Sequence, residues 1–127
     1  MLSGIHHVAI ICSDYPRSKH FYVSVLGLEV IDEHYRAERD SYKLDLKLPD
    51  GSQIELFSFP ARPVRPSYPE AQGLRHLAFS VRSVEETVKR LKQHGIAAEP
   101  VRIDEYTGRQ FTFFRDPDDL PLELYEI

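Results

Sequence analysis

The sequence predicts a small α+β domain made of two similar halves, each a strand, then a helix, then several strands. Three observations predict it. The tetrapeptide His7-Val8-Ala9-Ile10 returns as His76-Leu77-Ala78-Phe79. Gln53-Ile54-Glu55-Leu56 is echoed by Pro121-Leu122-Glu123-Leu124, so Glu55 follows His7 by 48 positions and Glu123 follows His76 by 47. Each histidine strand also leads into a helix-like stretch closed by glycine, Gly27 twenty residues past His7 and Gly95 nineteen past His76. Self-similarity at a fixed interval is the mark of a duplicated structural unit.

The elements follow in order. Residues 5–12 form an alternating, β-branched apolar run and predict the first strand. Pro16 suits the first turn of a helix, with Ser13 or Asp14 as its cap. Phe21, Tyr22, Val25 and Leu26 recur at helical spacing, and Gly27 takes the left-handed closing position. Strands are expected at 28–36, 41–48 and 53–59, with Asp50-Gly51 as the turn between the last two. In the second half, Ser83-Val84-Glu85-Glu86 has the form of a capping box, Val84, Val88 and Leu91 make an apolar stripe, and Gly95 closes the helix. Strands at 96–103, 110–115 and 121–126 complete that half. Pro60, Pro63, Pro66 and Pro69 cannot sustain helix or central strand, so 60–73 reads as a passive linker between modules 1–59 and 74–127 of a single domain, 1–127.

Composition narrows the function classes. A chain of 127 residues with 42% hydrophobic content can build one core. Its 20 acidic and 16 basic residues are mixed along the chain, which gives no clustered basic face for nucleic acid. No stretch approaches the roughly 20 apolar residues of a membrane helix, and the start lacks the layout of a secretory signal. One cysteine, Cys12, cannot form an internal disulfide; it reads as a small buried hydrophobe, and the chain as cytoplasmic.

Four residues read as one site. Side chains alternate across a strand, so the neighbours turned away from His7, Glu55, His76 and Glu123 are Val8, Ile54 and Leu56, Leu77, and Leu122 and Leu124. Those apolar neighbours belong under the helices, which leaves the histidines and glutamates on the other face. A register slip of one residue would drive charge into the core. Taken singly, a strand histidine is usually structural and a strand glutamate usually solvated. As a repeated set, two imidazoles and two carboxylates make a cage for one divalent metal and leave room for water or substrate. His6, His20, His34 and His94 read as incidental, with His6 on the side of its strand opposite His7.

These residues resemble the vicinal oxygen chelate superfamily, and within it the glyoxalase I type. The resemblance spans essentially the whole chain. It rests on Ile5-His6-His7-Val8-Ala9-Ile10, Phe21-Tyr22 with Leu26-Gly27-Leu28, Ile54-Glu55-Leu56-Phe57, Arg75-His76-Leu77-Ala78-Phe79, and Asp116-Pro117-Asp118 leading to Leu122-Glu123-Leu124. It implies two βαβββ modules whose sheets curl around a metal cleft, with His7, Glu55, His76 and Glu123 as ligands. It implies a metal-dependent lyase or isomerase acting on a small α-oxygenated substrate, such as the hemithioacetal of a lactoylglutathione lyase. Glu123 is then the base, with Glu55 as the alternative. Zn or Ni is the first expectation for the metal, with Co, Mn or Fe as alternatives, and a homodimer is expected by the same analogy. Two other readings stand beside it: a ring-cleaving extradiol dioxygenase, whose relatives use two His and one Glu, and a non-catalytic binder of a metal or small molecule. Arg36, Arg39, Lys43 and Arg109 are candidate partners for a substrate carboxylate. Phe57, Phe111, Phe113 and Tyr125 are candidate pocket walls. Asp116-Pro117-Asp118-Asp119 carries aspartate where many relatives place glycine.

Overall fold

The computed structural model describes residues 1–127, which separate into two compact units, Met1–Pro63 and Val64–Ile127. The first unit runs β1 (His7–Cys12), α1 (Tyr15–Lys19), β2 (Glu29–Arg36), β3 (Ser41–Lys47) and β4 (Gln53–Ser58). Its four strands form one mixed sheet in the order β1-β4-β3-β2, with β1 parallel to β4 and the remaining pairs antiparallel. The second unit runs β5 (Leu77–Val81), α2 (Val84–Gln93), β6 (Arg102–Ile103), β7 (Gln110–Arg115) and β8 (Pro121–Glu126). Its sheet order is β5-β8-β7-β6, with β5 parallel to β8. Each unit is therefore βαβββ with the same strand order, which makes the fold α+β with two mixed four-stranded sheets.

Alternation sets which face is buried. In the first unit Ile10, Cys12, Leu44, Leu46, Ile54 and Leu56 are buried, with Phe21 and Tyr22 of the helical segment. In the second unit the same role falls to Leu122, Leu124, Phe114 and Thr112, with Val84 and Leu91 from α2. The register pairs Leu44 with Leu56, Leu77 with Leu122, and Phe114 with Leu122, so these side chains share one face of each sheet. At about 25 cal/mol per Å² of apolar surface, this layer is the main source of each unit's stability.

The first helix departs from simple α geometry. Asp14 caps it by accepting from the Arg17 N–H, and Pro16 sits in its first turn as expected. From His20 to Val25, however, the chain widens into a π-helical turn, with the Leu26 N–H donating to the Phe21 carbonyl five residues back. The wider turn accommodates burial of both Phe21 and Tyr22, whose rings meet edge to face at 5.0 Å. Gly27 ends the segment at φ +78°. The α2 helix begins with Ser83 Oγ accepting from the Glu86 N–H. The reciprocal half of the capping box is not made, because the Glu86 carboxylate pairs with Lys89 instead. Gly95 and Ile96 close the helix by donating to Lys92 and Leu91, a Schellman-type end.

Two other expectations are corrected. Of the strand expected at 96–103, only Arg102–Ile103 joins the sheet. Pro100 has no N–H to donate, and the segment meets β7 through single bonds from the Glu99 N–H to the Phe113 carbonyl and from Thr112 Oγ1 to the Glu99 carbonyl. The proline-rich stretch is not a passive tether either. Arg62 donates to the Ser13 carbonyl within the first unit. Arg65 donates to the Leu74 and Arg75 carbonyls, and Ser67 Oγ to the Asp119 carbonyl, within the second. Asp119 adopts the left-handed conformation, φ +64°, that a glycine would take, while Asp116 Oδ1 accepts from the Asp118 and Leu120 N–H groups.

Candidate functional site

Each unit builds the same His–Glu pair in the same way. In the first, Glu55 on β4 lies in register with Ala9 of β1, and His7, two residues earlier on the same face, reaches it diagonally. His7 Nε2 stands 2.8 Å from Glu55 Oε2. In the second, Glu123 on β8 lies in register with Ala78 of β5, and His76 reaches it by the same two-residue diagonal, with Nε2 2.9 Å from Oε2. Both carboxylates are largely enclosed, 14% and 13% exposed, while His7 keeps 41% and His76 25%. An ionised carboxylate held this far from water needs a cation or a strong donor beside it.

The rest of the two faces differs. In the first unit Asp45 stands opposite Glu55, and Lys43 Nζ bridges them at 2.7 Å to Asp45 and 3.4 Å to Glu55. The hydrogen bond to Asp45 holds the Lys43 ammonium above its ordinary value. In the second unit Phe113 stands opposite Glu123, and its ring meets the His76 ring edge to face at 5.0 Å. Glu123 pairs with His76 and with no lysine or arginine. Glu55 is thus also tied to an ammonium group and Glu123 is not.

The other sequence candidates fall as follows. Arg36 lies over Phe57 at 5.1 Å and donates to Ser41 Oγ, on the Glu55 side of its sheet. Arg39 ends a short 3₁₀ turn and is exposed, and Arg109 is exposed ahead of β7. Phe111 and Phe113 share the Glu123 face, and Tyr125 donates from that face to Asp104. His6 stands just before β1 rather than on its opposite face, and its Nδ1 lies 2.9 Å from His7 Nδ1. His34 pairs with Asp32 at 2.8 Å. Sequence reasoning missed Arg75, Arg102 and Arg115. Period-two alternation would have found Arg115, which follows Phe111 and Phe113 on their face of β7.

The donor set fits a divalent metal. Two ligand atoms each about 2.1 Å from an ion and at right angles to one another stand ~3.0 Å apart, close to the 2.8 and 2.9 Å of the two pairs, a spacing that a direct hydrogen bond also has. Imidazole with carboxylate suits several first-row ions. Neither unit alone gathers three or more His, Cys, Asp or Glu groups around one point. Arg75 Nη1 lies 3.1 Å from His76 Nδ1, while His76 Nε2 faces Glu123.

Comparison with known proteins gives a consistent picture. Residues 4–124 match the family model of the Glyoxalase/Bleomycin resistance protein/Dioxygenase superfamily. The chain is 61% identical over 126 residues to Bacillus subtilis (strain 168) "Uncharacterized protein YwkD", covering 99% of this chain and 98% of that one. A glyoxalase family protein from Enterococcus faecalis superposes with a TM-score of 0.90 at 53% identity, covering 98% of each chain. More distant folds include a Leishmania major glyoxalase I, TM-score 0.72 at 25% identity, covering 98% of this chain and 87% of that one. A fosfomycin resistance protein from Listeria monocytogenes, solved with Mn(II), has a TM-score of 0.78 at 22% identity and covers 98% of this chain and 93% of its own. No helix is long and apolar enough to cross a membrane.

Proposed function

Because the chain belongs to the glyoxalase/bleomycin resistance protein/dioxygenase superfamily, we propose that it is a divalent-metal-dependent lyase or isomerase of the glyoxalase I type. His7, Glu55, His76 and Glu123 hold the metal, Glu123 is the catalytic base, and the substrate is a small α-oxygenated molecule, with a thiol hemithioacetal as the first to try. The observation that carries this reading is the duplicated pair. Two different strands in each unit bring a histidine Nε2 and a glutamate Oε2 to 2.8 and 2.9 Å through the same diagonal offset. The recurrence of a histidine with its own enclosed carboxylate in both halves supports this reading.

When bound, the ion supplies Lewis-acid polarisation of a substrate oxygen. The protein's residues do the rest. The Glu123 carboxylate takes the proton from the carbon next to the carbonyl and returns it to the neighbouring carbon, so the isomerisation needs no outside oxidant or reductant. Glu123 suits that task better than Glu55 because no ammonium holds it, whereas Lys43 stands beside Glu55. Phe113, opposite Glu123, keeps that side of the carboxylate apolar. Self-association as a homodimer belongs to the same reading and is checked by light scattering.

The test is elemental analysis of the purified protein, followed by hemithioacetal turnover after loading with Ni, Co, Zn or Mn. About one equivalent of metal per chain and turnover with at least one ion are expected. A protein that neither carries nor takes up metal overturns the ligand assignment, and a loaded protein inert to every hemithioacetal overturns the lyase reading.

A further inference from the structure

Beside the His76–Glu123 pair, wholly within the second unit, lies a cavity of ≈ 180 Å³ whose lining includes Arg75, Arg102, Arg115, Tyr68 and Phe113. We infer that this cavity is a seat for an oxyanion, so that the substrate of the proposed reaction carries a carboxylate or a phosphate-type group that the three guanidinium groups hold. The inference rests on the metalloenzyme reading for its link to a reaction, and on the arginines alone for the binding itself.

The charge count comes first. Three arginines meet two carboxylates, Glu70 and Glu99, so the lining is net positive. None of the ion pairs among them is tight. Arg75 stands 3.6 Å from Glu70, Arg102 3.5 Å from Glu99, and Arg115 3.9 Å from Glu99 and 3.8 Å from Asp119. Charge-assisted bonds close to about 2.7–2.9 Å when a good acceptor is present. These guanidinium groups therefore have unused capacity. At Arg115 it is explicit: Nη1 is buried and makes no hydrogen bond. A buried N–H left without an acceptor is costly, and an entering oxyanion would remove that cost.

The arginines are also held in place. The Arg102 guanidinium lies over Phe111 at 5.0 Å and Phe113 at 5.6 Å, which fixes its plane and leaves its edge for an acceptor. Arg115 lies over the Tyr68 ring at 4.9 Å and donates to the Tyr68 hydroxyl. Tyr68 comes from the proline-rich segment, which gives that segment a reason to be fastened to this unit through Arg65 and Ser67. The seat also adjoins the chemistry. Phe113 touches the cavity and the His76 ring, and Arg75 touches the cavity and His76 Nδ1. At ≈ 180 Å³ the cavity is smaller than the roughly 300–1,000 Å³ of pockets that enclose drug-sized ligands. It suits one anionic head group and not a whole large substrate.

The test uses chelator-treated, ¹⁵N-labelled protein titrated separately with sodium phosphate and sodium acetate. The backbone amides of Phe113 and Arg115 are expected to shift saturably with at least one of the two. Arg102→Gln and Arg115→Gln are each expected to weaken that binding about tenfold, as loss of one charged hydrogen bond implies, and Arg90→Gln on α2 is expected to leave it unchanged. Arg102 lies on the short β6 strand, so its variant keeps the test intact if loss of Arg115 unfolds the unit. Saturation by phosphate alone identifies a phosphate-type group on the substrate; saturation by acetate identifies a carboxylate. No saturable shift with either salt, or shifts equal in wild type and Arg102→Gln, overturns the proposal. The protein is metal-free throughout, so a failure here is separate from a failure to bind metal.

Discussion

Glu123 lies across the sheet from Ala78, yet its carboxylate meets His76, and Glu55 meets His7 over the same two-residue diagonal from Ala9. The central parallel pairing of each sheet, β1 on β4 and β5 on β8, is what permits this. It places the glutamate one step along the strand from the histidine on a shared face, within reach of a long side chain. The chain therefore carries two His–Glu pairs of matching geometry, one in each unit, each with one imidazole and one carboxylate.

Because both pairs have the same geometry, the proposed ligand set implies that truncation in either unit has the same consequence for metal. His7→Ala and Glu123→Ala are each expected to lower metal affinity by more than the roughly 10–100-fold that loss of an outer-shell partner costs. Elemental analysis after dialysis, with circular dichroism to confirm folding, reads this out. Metal retained in full by either variant would show that the residue replaced is not a ligand.

The buried face of the second sheet carries that unit's stability. Leu122 is fully buried on the central strand β8, directly behind Glu123 and between Leu77 and Phe114 in register. Leu122→Ala is expected to cost about 2–5 kcal/mol in urea unfolding, the range for a leucine cavity in a packed core. Ala78→Ser, on the exposed face of β5, is the comparison and should cost well under half as much. Equal losses would mean that the layer behind the site is not the core.

One pH effect is open to direct measurement. Asp104 accepts from the Tyr106 N–H at 2.9 Å and from the Tyr125 hydroxyl at 2.8 Å. The backbone bond first, and the Tyr125 bond next, hold its carboxyl below the ordinary 3.8. A lowered folded-state value means that the loop between β6 and β7 gains stability above the ordinary carboxylate range and loses it as pH falls through the lowered value. Amide exchange at Thr107 and Gly108 is expected to stay slow at pH 5 and to quicken only below the ordinary range. Titration of Asp104 at 3.8, or an unchanged profile in Asp104→Asn, would falsify this account.

How much was legible beforehand depended on the range of each signal. The strands at 41–48, 53–59, 110–115 and 121–126 read correctly to within a residue because alternation is local and periodic. The duplicated His–Glu spacing led to both pairs for the same reason: a repeat leaves the same residues at the same interval. The π turn at His20–Val25 was not legible. Adjacent Phe21 and Tyr22 look like an ordinary helical face until tertiary burial asks for both rings at once. Residues 96–101 alternate well enough for a strand, and it took the pairing with β7 to show that Pro100 leaves the ladder with almost nothing to bond.

By itself the sequence determined the α+β class, the two βαβββ units and the two His–Glu pairs at matching intervals, because periodicity and repetition are properties of the chain. Only the tertiary structure decided what surrounds those residues. Lys43 beside Glu55, Phe113 beside His76, and Tyr68 brought from the proline-rich segment to Arg115 are contacts between strands or segments far apart in the chain. The physical reason is that side-chain chemistry at a site depends on cross-strand register and on where an irregular segment is fastened, and neither leaves a period in the sequence.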